Sequence, residues 1–198
     1  MTAPLYVVMM VAYGFSPATT DVGYEPDQPV PFSHLLHAGE MGIDCRYCHT
    51  SVEDASHSVI PPTSTCMNCH TQVHPESAKL EPVRESWATG EPIEWIRVHD
   101  LPDYAYFNHA AHVNRGVSCV SCHGRVDRME VVYQDQKLSM GWCLECHRNP
   151  EPHLRDPALA TDLGWEFDGS PAEERLYQQW WKDINQVNPS EDCSTCHR

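Results

Sequence analysis

Basic residues are scarce in this sequence. Its 198 residues include 13 lysines and arginines against 28 aspartates and glutamates, which gives a formal net charge of −15 at pH 7. Nucleic-acid binding depends on a basic surface that neutralises backbone phosphates, so this balance excludes nucleic acid as a partner. The acidic surface is either an ordinary solvated face or a docking face for a basic protein partner.

Long apolar runs are also missing. The longest, Ala3–Phe15, has thirteen residues, whereas a transmembrane helix needs about 20. No lysine or arginine precedes it, so the charged start of a signal peptide is absent too. We interpret residues 1–16 as a membrane-anchor segment. It either belongs to a longer anchor that begins upstream of this start codon or packs against partner helices. The alternative is an apolar N-terminal strand docked on the folded domain.

No cysteine lies outside one recurring motif. All ten fall in five Cys-x-x-Cys-His units, numbered here as sites 1 to 5: Cys45–His49, Cys66–His70, Cys119–His123, Cys143–His147 and Cys193–His197. Random placement of these cysteines and histidines would give roughly 0.03 such matches. Disulfides and zinc knuckles are the alternatives, but zinc ribbons need no histidine after the second cysteine of every pair.

This motif is the one that attaches c-type haem, with two thiols for the vinyl groups and an adjacent histidine for the iron. The sequence therefore predicts five haems. The predicted attachment residues are Cys45, Cys48, Cys66, Cys69, Cys119, Cys122, Cys143, Cys146, Cys193 and Cys196. The predicted proximal iron ligands are His49, His70, His123, His147 and His197. Because covalent haem attachment takes place outside the cytoplasm, we expect a periplasmic location.

Few residues are available for an ordinary hydrophobic core. The chain has only 4 phenylalanines and a mean hydropathy of −0.49, and its 16 prolines disfavour regular structure. Porphyrins are large apolar discs, so we expect five of them to form much of the core. The sequence predicts a mostly irregular, small-α fold, in which short helices hold the motifs and long loops pack round five covalently bound haems.

A second motif, Phe-x-His-x-x-His, precedes sites 1 and 3, at 32–37 and 107–112. Its two histidines are three residues apart and so share a face of a helical turn. They cannot lie on opposite sides of one porphyrin, so each pair serves two haems or one haem only. The four histidines are His34, His37, His109 and His112.

The repeat divides the chain into two dihaem modules and an appended site. The predicted segments are 1–16, the membrane-anchor segment; 17–31, a linker; 32–70, module 1; 71–106, a connecting segment; 107–147, module 2; and 148–198, a C-terminal helix with the fifth haem site. Between the motifs, 81–87 is predicted to be a helix ended by Gly90, and 93–98 has strand character. Ser170 begins a capping box for a helix over 171–186.

The other histidines and methionines supply further candidate ligands. His99 lies eight residues before the second Phe-x-His-x-x-His unit. Met140, three residues before site 4, is a candidate thioether ligand that would raise the potential of its haem, and Met129 is a weaker one. His57 and His74 are interpreted as surface residues.

Several stretches resemble one known family. They are P-F-S-H-x-x-H-A-G followed by D-C-R-Y-C-H, I-P-P-T-x-T-C-M-N-C-H, V-H-D-L-P-D-Y-x-Y-F-N-H-x-A-H-V and L-S-M-G-W-C-L-E-C-H-R. Together they cover about 24–150 and are similar to the pentahaem cytochrome c subunit of alternative complex III, a quinol:acceptor oxidoreductase. The C-terminal part matches only in having a fifth Cys-x-x-Cys-His unit.

The resemblance implies an electron-transfer subunit that is not an enzyme by itself. Such a subunit takes electrons from an iron–sulfur subunit beside quinol-oxidising integral membrane subunits. It passes them to a monohaem cytochrome c subunit or another acceptor, in respiratory or photosynthetic electron transport. The family's N-terminal transmembrane anchor is longer than the apolar segment here. The resemblance also implies five distal ligands for five irons: His34, His37, His99, His109 and His112.

Two other functions stay open. A multihaem reductase of nitrite, hydroxylamine or a sulfur oxyanion needs one iron with an open position, and nothing marks one of the five motifs as different. A stand-alone, membrane-anchored quinol dehydrogenase would meet quinol directly, although such proteins usually have four haems and a complete anchor. Carbon monoxide binding by one haem would favour the reductase, and failure to co-purify with iron–sulfur and polytopic subunits would favour the dehydrogenase.

Overall fold

The computed structural model describes residues 2–14 and 20–197. The α-helices in this part of the chain are Thr2–Gly14 (α1), Cys45–Cys48 (α2), Thr63–His70 (α3), Glu81–Thr89 (α4), His109–Val113 (α5), Val120–His123 (α6), Met140–Arg148 (α7), Pro171–Ile184 (α8) and Cys193–Cys196 (α9). Shorter turns lie between them: a π-helix, Leu35–Glu40, and 3₁₀ turns at Ala78–Leu80, Val126–Arg128, Glu151–His153 and Pro157–Leu159. The predicted class, mostly irregular with small helices, is confirmed.

The described ranges contain no β-strand, and an isolated antiparallel bridge pairs Val117 with Leu154. The strand predicted at 93–98 is therefore wrong. The side-chain amide of Gln28 donates to the Ile96 carbonyl at 2.8 Å and accepts from the Ile96 amide at 2.9 Å. One side chain thus satisfies the backbone groups that a neighbouring strand would need, so strand propensity does not lead to a sheet.

Both predicted helices between the motifs are confirmed. α4 ends at Gly90, whose φ of 79° is the left-handed conformation that glycine adopts readily after a helix. α8 begins after Ser170, which forms a reciprocal capping box with Glu173. It ends at Ile184, two residues before the predicted limit.

Side chains alone form a sparse core. Among the described residues the buried hydrophobic ones are Val30, Val52, Val83, Val113, Met129, Leu154, Ala160 and Val187. Larger apolar side chains such as Tyr47, Trp87 and Trp180 are exposed. An interior of so few side chains is what a fold built round large apolar cofactors requires, because the cofactors supply the apolar area that the side chains do not.

The two modules are joined by reciprocal backbone hydrogen bonds. The Leu35 amide of module 1 donates to the Met129 carbonyl at 2.9 Å, and the His109 amide of module 2 donates to the Ser56 carbonyl at 3.0 Å. Ser56 and Met129 each follow the first haem motif of their own module. Each histidine turn therefore lies on the loop after the other module's first site. The division of the chain into modules stays a prediction.

The apolar N-terminal segment is helical in α1, and the described side chains of that helix are exposed. The alternative of an N-terminal strand is therefore wrong. Within residues 2–14 and 20–197, no helix is both long enough and apolar enough to cross a membrane. Residues 1 and 15–19, which belong to the predicted anchor and linker, lie outside the described residues.

Candidate haem sites

Each Cys-x-x-Cys-His motif lies on or at the end of a short helix, as predicted. The five helices are α2, α3, α6, α7 and α9. In site 1, the His49 amide donates to the Cys45 carbonyl at 2.8 Å, and the Asp44 side chain caps the helix by accepting from the Arg46 amide at 2.8 Å. One helical turn brings residues three and four apart to the same face. This places two thiols and an imidazole side by side, as haem attachment requires.

The cysteines are free, so the alternative of a disulfide framework is wrong. The thiols at the centre of the fold have a raised pKa, about 11 for Cys45 and about 12 for Cys122, and burial is the main cause. Thiols in such surroundings are poor nucleophiles and poor ligands for a bare metal ion.

Four of the five motif histidines are held by a hydrogen bond from their Nδ1. The acceptors are backbone carbonyls: Val59 for His49 at 2.9 Å, Val73 for His70 at 2.9 Å, Ser190 for His147 at 2.7 Å and Tyr104 for His197 at 3.0 Å. Because a carbonyl only accepts, Nδ1 is the protonated nitrogen and Nε2 keeps its lone pair. A ligand histidine typically has this arrangement, which fixes the ring and raises its basicity.

The two Phe-x-His-x-x-His units have the same geometry. In each, the phenylalanine ring meets the first histidine edge-on and stacks on the second. The ring-centroid distances are 4.8 Å for Phe32–His34, 4.3 Å for Phe32–His37, 4.8 Å for Phe107–His109 and 4.5 Å for Phe107–His112. The repeat seen in the sequence is therefore a repeat of side-chain positions, although the first unit leads into a π-helix and the second into α5.

The second histidine of each unit is oriented by the residue four positions before it. The Nδ1 of His37 donates to the Ser33 carbonyl at 2.8 Å, and the Nδ1 of His112 donates to the Asn108 carbonyl at 2.7 Å. The side chains of Ser33 and Asn108 also accept from backbone amides of the same turn. The first histidine of the second unit, His109, donates from Nδ1 to the Ser56 carbonyl at 2.9 Å.

Three of these histidines face a motif histidine. The ring-centroid distances are 6.2 Å for His37–His70, 6.2 Å for His112–His147 and 6.3 Å for His109–His123. A metal–imidazole bond of about 2 Å, with the ring centre about 1 Å beyond the nitrogen, gives two axial rings a separation of roughly 6 Å. Each pair is therefore spaced to hold one iron between its rings.

The remaining two histidines implied as distal ligands are placed differently. His99 packs edge-on against His123 at 4.4 Å, which is too close for an iron between these two rings. Its Nε2 and the Nδ1 of His34 are buried without a hydrogen-bond partner. The pKa of His34 is lowered to about 4 and the pKa of His99 is also lowered, in both cases mainly by burial. Each ring thus has a buried nitrogen without a hydrogen-bond partner, which suits iron ligation.

The methionine candidates and the surface histidines are also located. Met140 is the first residue of α7 and its side chain is 65% exposed, whereas Met129 is buried. His57 contacts the neighbouring Ser56 hydroxyl through Nδ1.

A cavity of about 480 Å³ lies beside Cys45, and the side chains of Arg46 and Arg125 are part of its lining. These two side chains were not expected from the sequence, because an isolated arginine carries no motif.

The backbone acceptors of the histidine rings were also not expected, since any residue can supply a carbonyl. Only Ser33 and Asn108 had a sequence signal, because both are capping residue types placed just before the histidine turn.

This chain is similar to a known protein family and to a known protein. The family model "Cytochrome c7 and related cytochrome c" matches residues 105–198. The multiheme cytochrome c subunit of menaquinone reductase from Nitratidesulfovibrio vulgaris is 31% identical to this chain over an alignment of 179 residues, and the alignment covers 77% of this chain and 83% of that protein. These similarities agree with haem attachment by the Cys-x-x-Cys-His motifs. The chain belongs to the multihaem cytochrome c family and binds haem c.

Proposed function

We propose that this chain is a five-haem electron-transfer subunit that relays electrons from an iron–sulfur subunit of a quinol-oxidising membrane complex, alternative complex III, to a monohaem cytochrome c or another acceptor. The observation that carries the proposal is the set of three facing histidine pairs at 6.2–6.3 Å. An iron with two protein ligands offers no position for a substrate, which favours electron transfer over substrate reduction.

The facing pairs support an assignment of axial ligands. His37 would serve site 2, His109 site 3 and His112 site 4, each opposite the motif histidine of that site. The repeat then gives His34 to site 1, because its counterpart His109 serves the first site of its own module. This leaves His99 as the histidine for site 5, although its ring contact is with site 3. The thioether bonds would come from the ten motif cysteines.

When bound, haem iron supplies a centre that accepts and releases one electron without making or breaking a bond. The protein's own contribution is to hold and tune that centre. The carbonyls of Val59, Val73 and Ser190 fix the proximal rings, and those of Ser33 and Asn108 fix two distal rings. Hydrogen bonds of this kind raise ligand basicity and so help to set the potential. Two imidazoles on an iron would also exclude water from the metal.

The proposed setting is the periplasmic side of a membrane, in association with partner subunits. These are an iron–sulfur subunit, quinol-oxidising integral membrane subunits and a monohaem cytochrome c subunit, as in the family that the sequence resembles. The net charge of −15 supports a basic redox partner and gives no support to nucleic acid. Purification of the tagged chain from mild detergent, followed by identification of its companions, tests this setting.

A second candidate is the cytochrome subunit of a complex that reduces menaquinone. The relative from Nitratidesulfovibrio vulgaris favours it, since that protein is named as a menaquinone reductase subunit. The five-haem relay would be the same, but electrons would flow toward the quinone. Companions of the tagged chain distinguish the two complexes, and absence of any companion would favour the stand-alone quinol dehydrogenase.

The cofactor part of the proposal is tested first by the haem-to-protein ratio and by the spectrum of the dithionite-reduced protein with and without carbon monoxide. Five haems and no response to carbon monoxide are expected if every iron has two protein ligands. A ratio other than five would contradict the cofactor count. A haem that binds carbon monoxide readily would have an open coordination position, and this result would favour the reductase alternative.

A further inference from the structure

Sites 1 and 2 are neighbours. The Asn68 side chain, inside the site 2 motif, donates to the Tyr47 hydroxyl, inside the site 1 motif, at 3.0 Å. The histidine turn of module 1 also connects the two sites. His37 faces His70 of site 2, and His34, which the repeat assigns to site 1, lies three residues before His37. These contacts place the two haem-attachment helices of module 1 side by side.

Sites 1 and 3 meet where the two modules join. The Thr161 hydroxyl donates at 2.8 Å to Asp44, the cap of the site 1 helix, and the preceding Ala160 carbonyl accepts from the Cys119 amide of site 3 at 3.1 Å. The pKa of Cys45 is raised mainly by burial and secondly by the neighbouring Cys119 thiol. The first sites of the two modules are therefore adjacent at the centre of the molecule.

Sites 3 and 4 share helix α5, which presents His109 to His123 and His112 to His147. Sites 4 and 5 are joined by the loop before α9. There the Nδ1 of His147 donates to the Ser190 carbonyl at 2.7 Å, and the next residue, Glu191, pairs with Arg148 at 2.8 Å. These links between the motif helices connect each site to the next, with sites 2 and 5 at the two ends. His99, the histidine left for site 5, also packs against His123 of site 3.

We infer that the motif helices of the five sites form a row in the order 2–1–3–4–5, and that a one-electron carrier with a basic face docks at the site 5 end. The inference rests on the proposed five-haem function. In such a row, an electron that enters at one end leaves at the other, so the surface of an end site is where a partner must approach. The choice of the site 5 end follows from its surface.

The surface at that end, here called the site 5 face, comprises Asp103, Tyr104, Glu191, Asp192 and Cys193. The carbonyl of Tyr104 accepts a hydrogen bond from Nδ1 of His197. The ring of Tyr104 lies 5.9 Å from the His197 ring, and Tyr104 is 64% exposed. Cys193 is exposed as well. An exposed aromatic ring in direct contact with the terminal histidine is a short path between that site and a docked partner.

The charge of the site 5 face selects the partner. Arg97 pairs with Asp100 and Arg148 pairs with Glu191, and beyond these two ion pairs the face presents the exposed carboxylates of Asp103 and Asp192. At the other end, residues 71–91 after site 2 contain four acidic and two basic residues. The two ends are therefore similar in charge, and the exposed Tyr104 ring beside His197 is what distinguishes the site 5 end. Charge complementarity steers association between transient partners, so an acidic end favours a carrier with a basic face.

Zero-length carbodiimide cross-linking of the full haem-loaded protein to a basic monohaem cytochrome c tests the docking face, with both proteins oxidised so that no electron moves. We expect the carrier's lysines to be joined to Asp103, Glu191 or Asp192. Cross-links confined to Glu76 and Glu81, near the site 2 end, or no cross-link at low salt, would overturn the assignment.

Matched charge variants sharpen this test. The double variant Asp103→Asn with Asp192→Asn is expected to raise the Kd for the oxidised carrier roughly fivefold at low ionic strength. The control pair, Glu76→Gln with Glu81→Gln, removes two carboxylates from the other end and is expected to leave the Kd unchanged. Equal effects of both pairs would mean that only net charge matters, which overturns a specific site 5 face.

The order of the row is tested by removing one end at a time. Cys193→Ser with Cys196→Ser is expected to leave four haems and to slow electron transfer from the pre-reduced protein to the carrier at least tenfold. Cys66→Ser with Cys69→Ser also leaves four haems and is expected to slow this transfer less than the site 5 variant does. The opposite ranking, or two equal rates, overturns the inference. A wild-type haem ratio other than five would instead contradict the proposed function, so the two failures are distinguishable.

Discussion

The rings of His109 and His123 lie 6.3 Å apart, and their planes are within 8° of parallel. Fourteen residues separate the two histidines in the sequence. The position of His109 depends on the other module, because its amide and its Nδ1 both donate to the carbonyl of Ser56. The ring of His109, a proposed ligand, is thus oriented by the loop that follows site 1.

Replacing His109 with alanine is expected to open one coordination position at site 3. The haem count stays the same, since the thiols and His123 are untouched, but one haem becomes high-spin and binds carbon monoxide when reduced. The measurement is the reduced spectrum with carbon monoxide, beside electron paramagnetic resonance of the oxidised protein. His57→Ala is the matched control, because His57 contacts Ser56 without facing a motif histidine. A variant indistinguishable from wild type would contradict the assignment of His109.

Gly116 is expected to tolerate no side chain. Its φ is 87°, and an added Cβ would overlap the Arg155 carbonyl oxygen and lie 2.9 Å from Nε1 of Trp181 on α8. Gly116→Ala should therefore lower the free energy of unfolding by roughly 3 kcal/mol or more. Gly42→Ala isolates the backbone effect, since Gly42 has a φ of 68° with no atom within 4 Å of the added carbon, and should cost about 1 kcal/mol. Urea unfolding of the haem-loaded protein compares them, and equal losses would show that the contact does not matter.

Acid sensitivity is expected to depend on Asp44. Hydrogen bonds from the Arg46 side chain are the main cause that lowers the pKa of Asp44 from 3.8 to about 2. Since the folded pKa lies below the unfolded one, the ionised carboxylate stabilises the fold above about pH 4, and this contribution is lost as the pH falls toward 2. Asp44→Asn retains a good helix cap but not the charge. The melting temperature of the variant should fall less steeply between these pH values, and an unchanged slope would refute the role of this ion pair.

Loss of a central haem should destabilise the protein more than loss of a terminal one. Cys119→Ser with Cys122→Ser removes the haem of site 3, whose thiols are half-buried where the modules meet, whereas Cys193 at site 5 is exposed. Since few side chains are buried, the central haem must cover apolar surface that nothing else covers. Thermal unfolding followed by Soret absorbance should show the larger fall in melting temperature for the site 3 variant than for Cys193→Ser with Cys196→Ser. Equal falls would argue against haem as the central core.

Local signals in the sequence were reliable wherever the chemistry needs residues within one turn. The Cys-x-x-Cys-His spacing predicted the short helices of all five sites, and the capping box at Ser170 predicted the start of α8. The strand predicted at 93–98 failed for the opposite reason, because a strand needs a partner. The partner of Ile96 proved to be the side chain of Gln28, 68 residues away, and no local pattern reports such a contact.

The sequence by itself determined that the protein is a multihaem cytochrome c, because the thioether bonds and the proximal ligand of each haem come from residues at most four positions apart. It also identified the histidines of the repeated unit as a matching set. Only the tertiary structure decided which histidines face each other, which carbonyls orient them and which sites are neighbours. Those relationships join residues tens of positions apart through backbone groups, which every residue possesses and which therefore leave no mark in the order of the side chains.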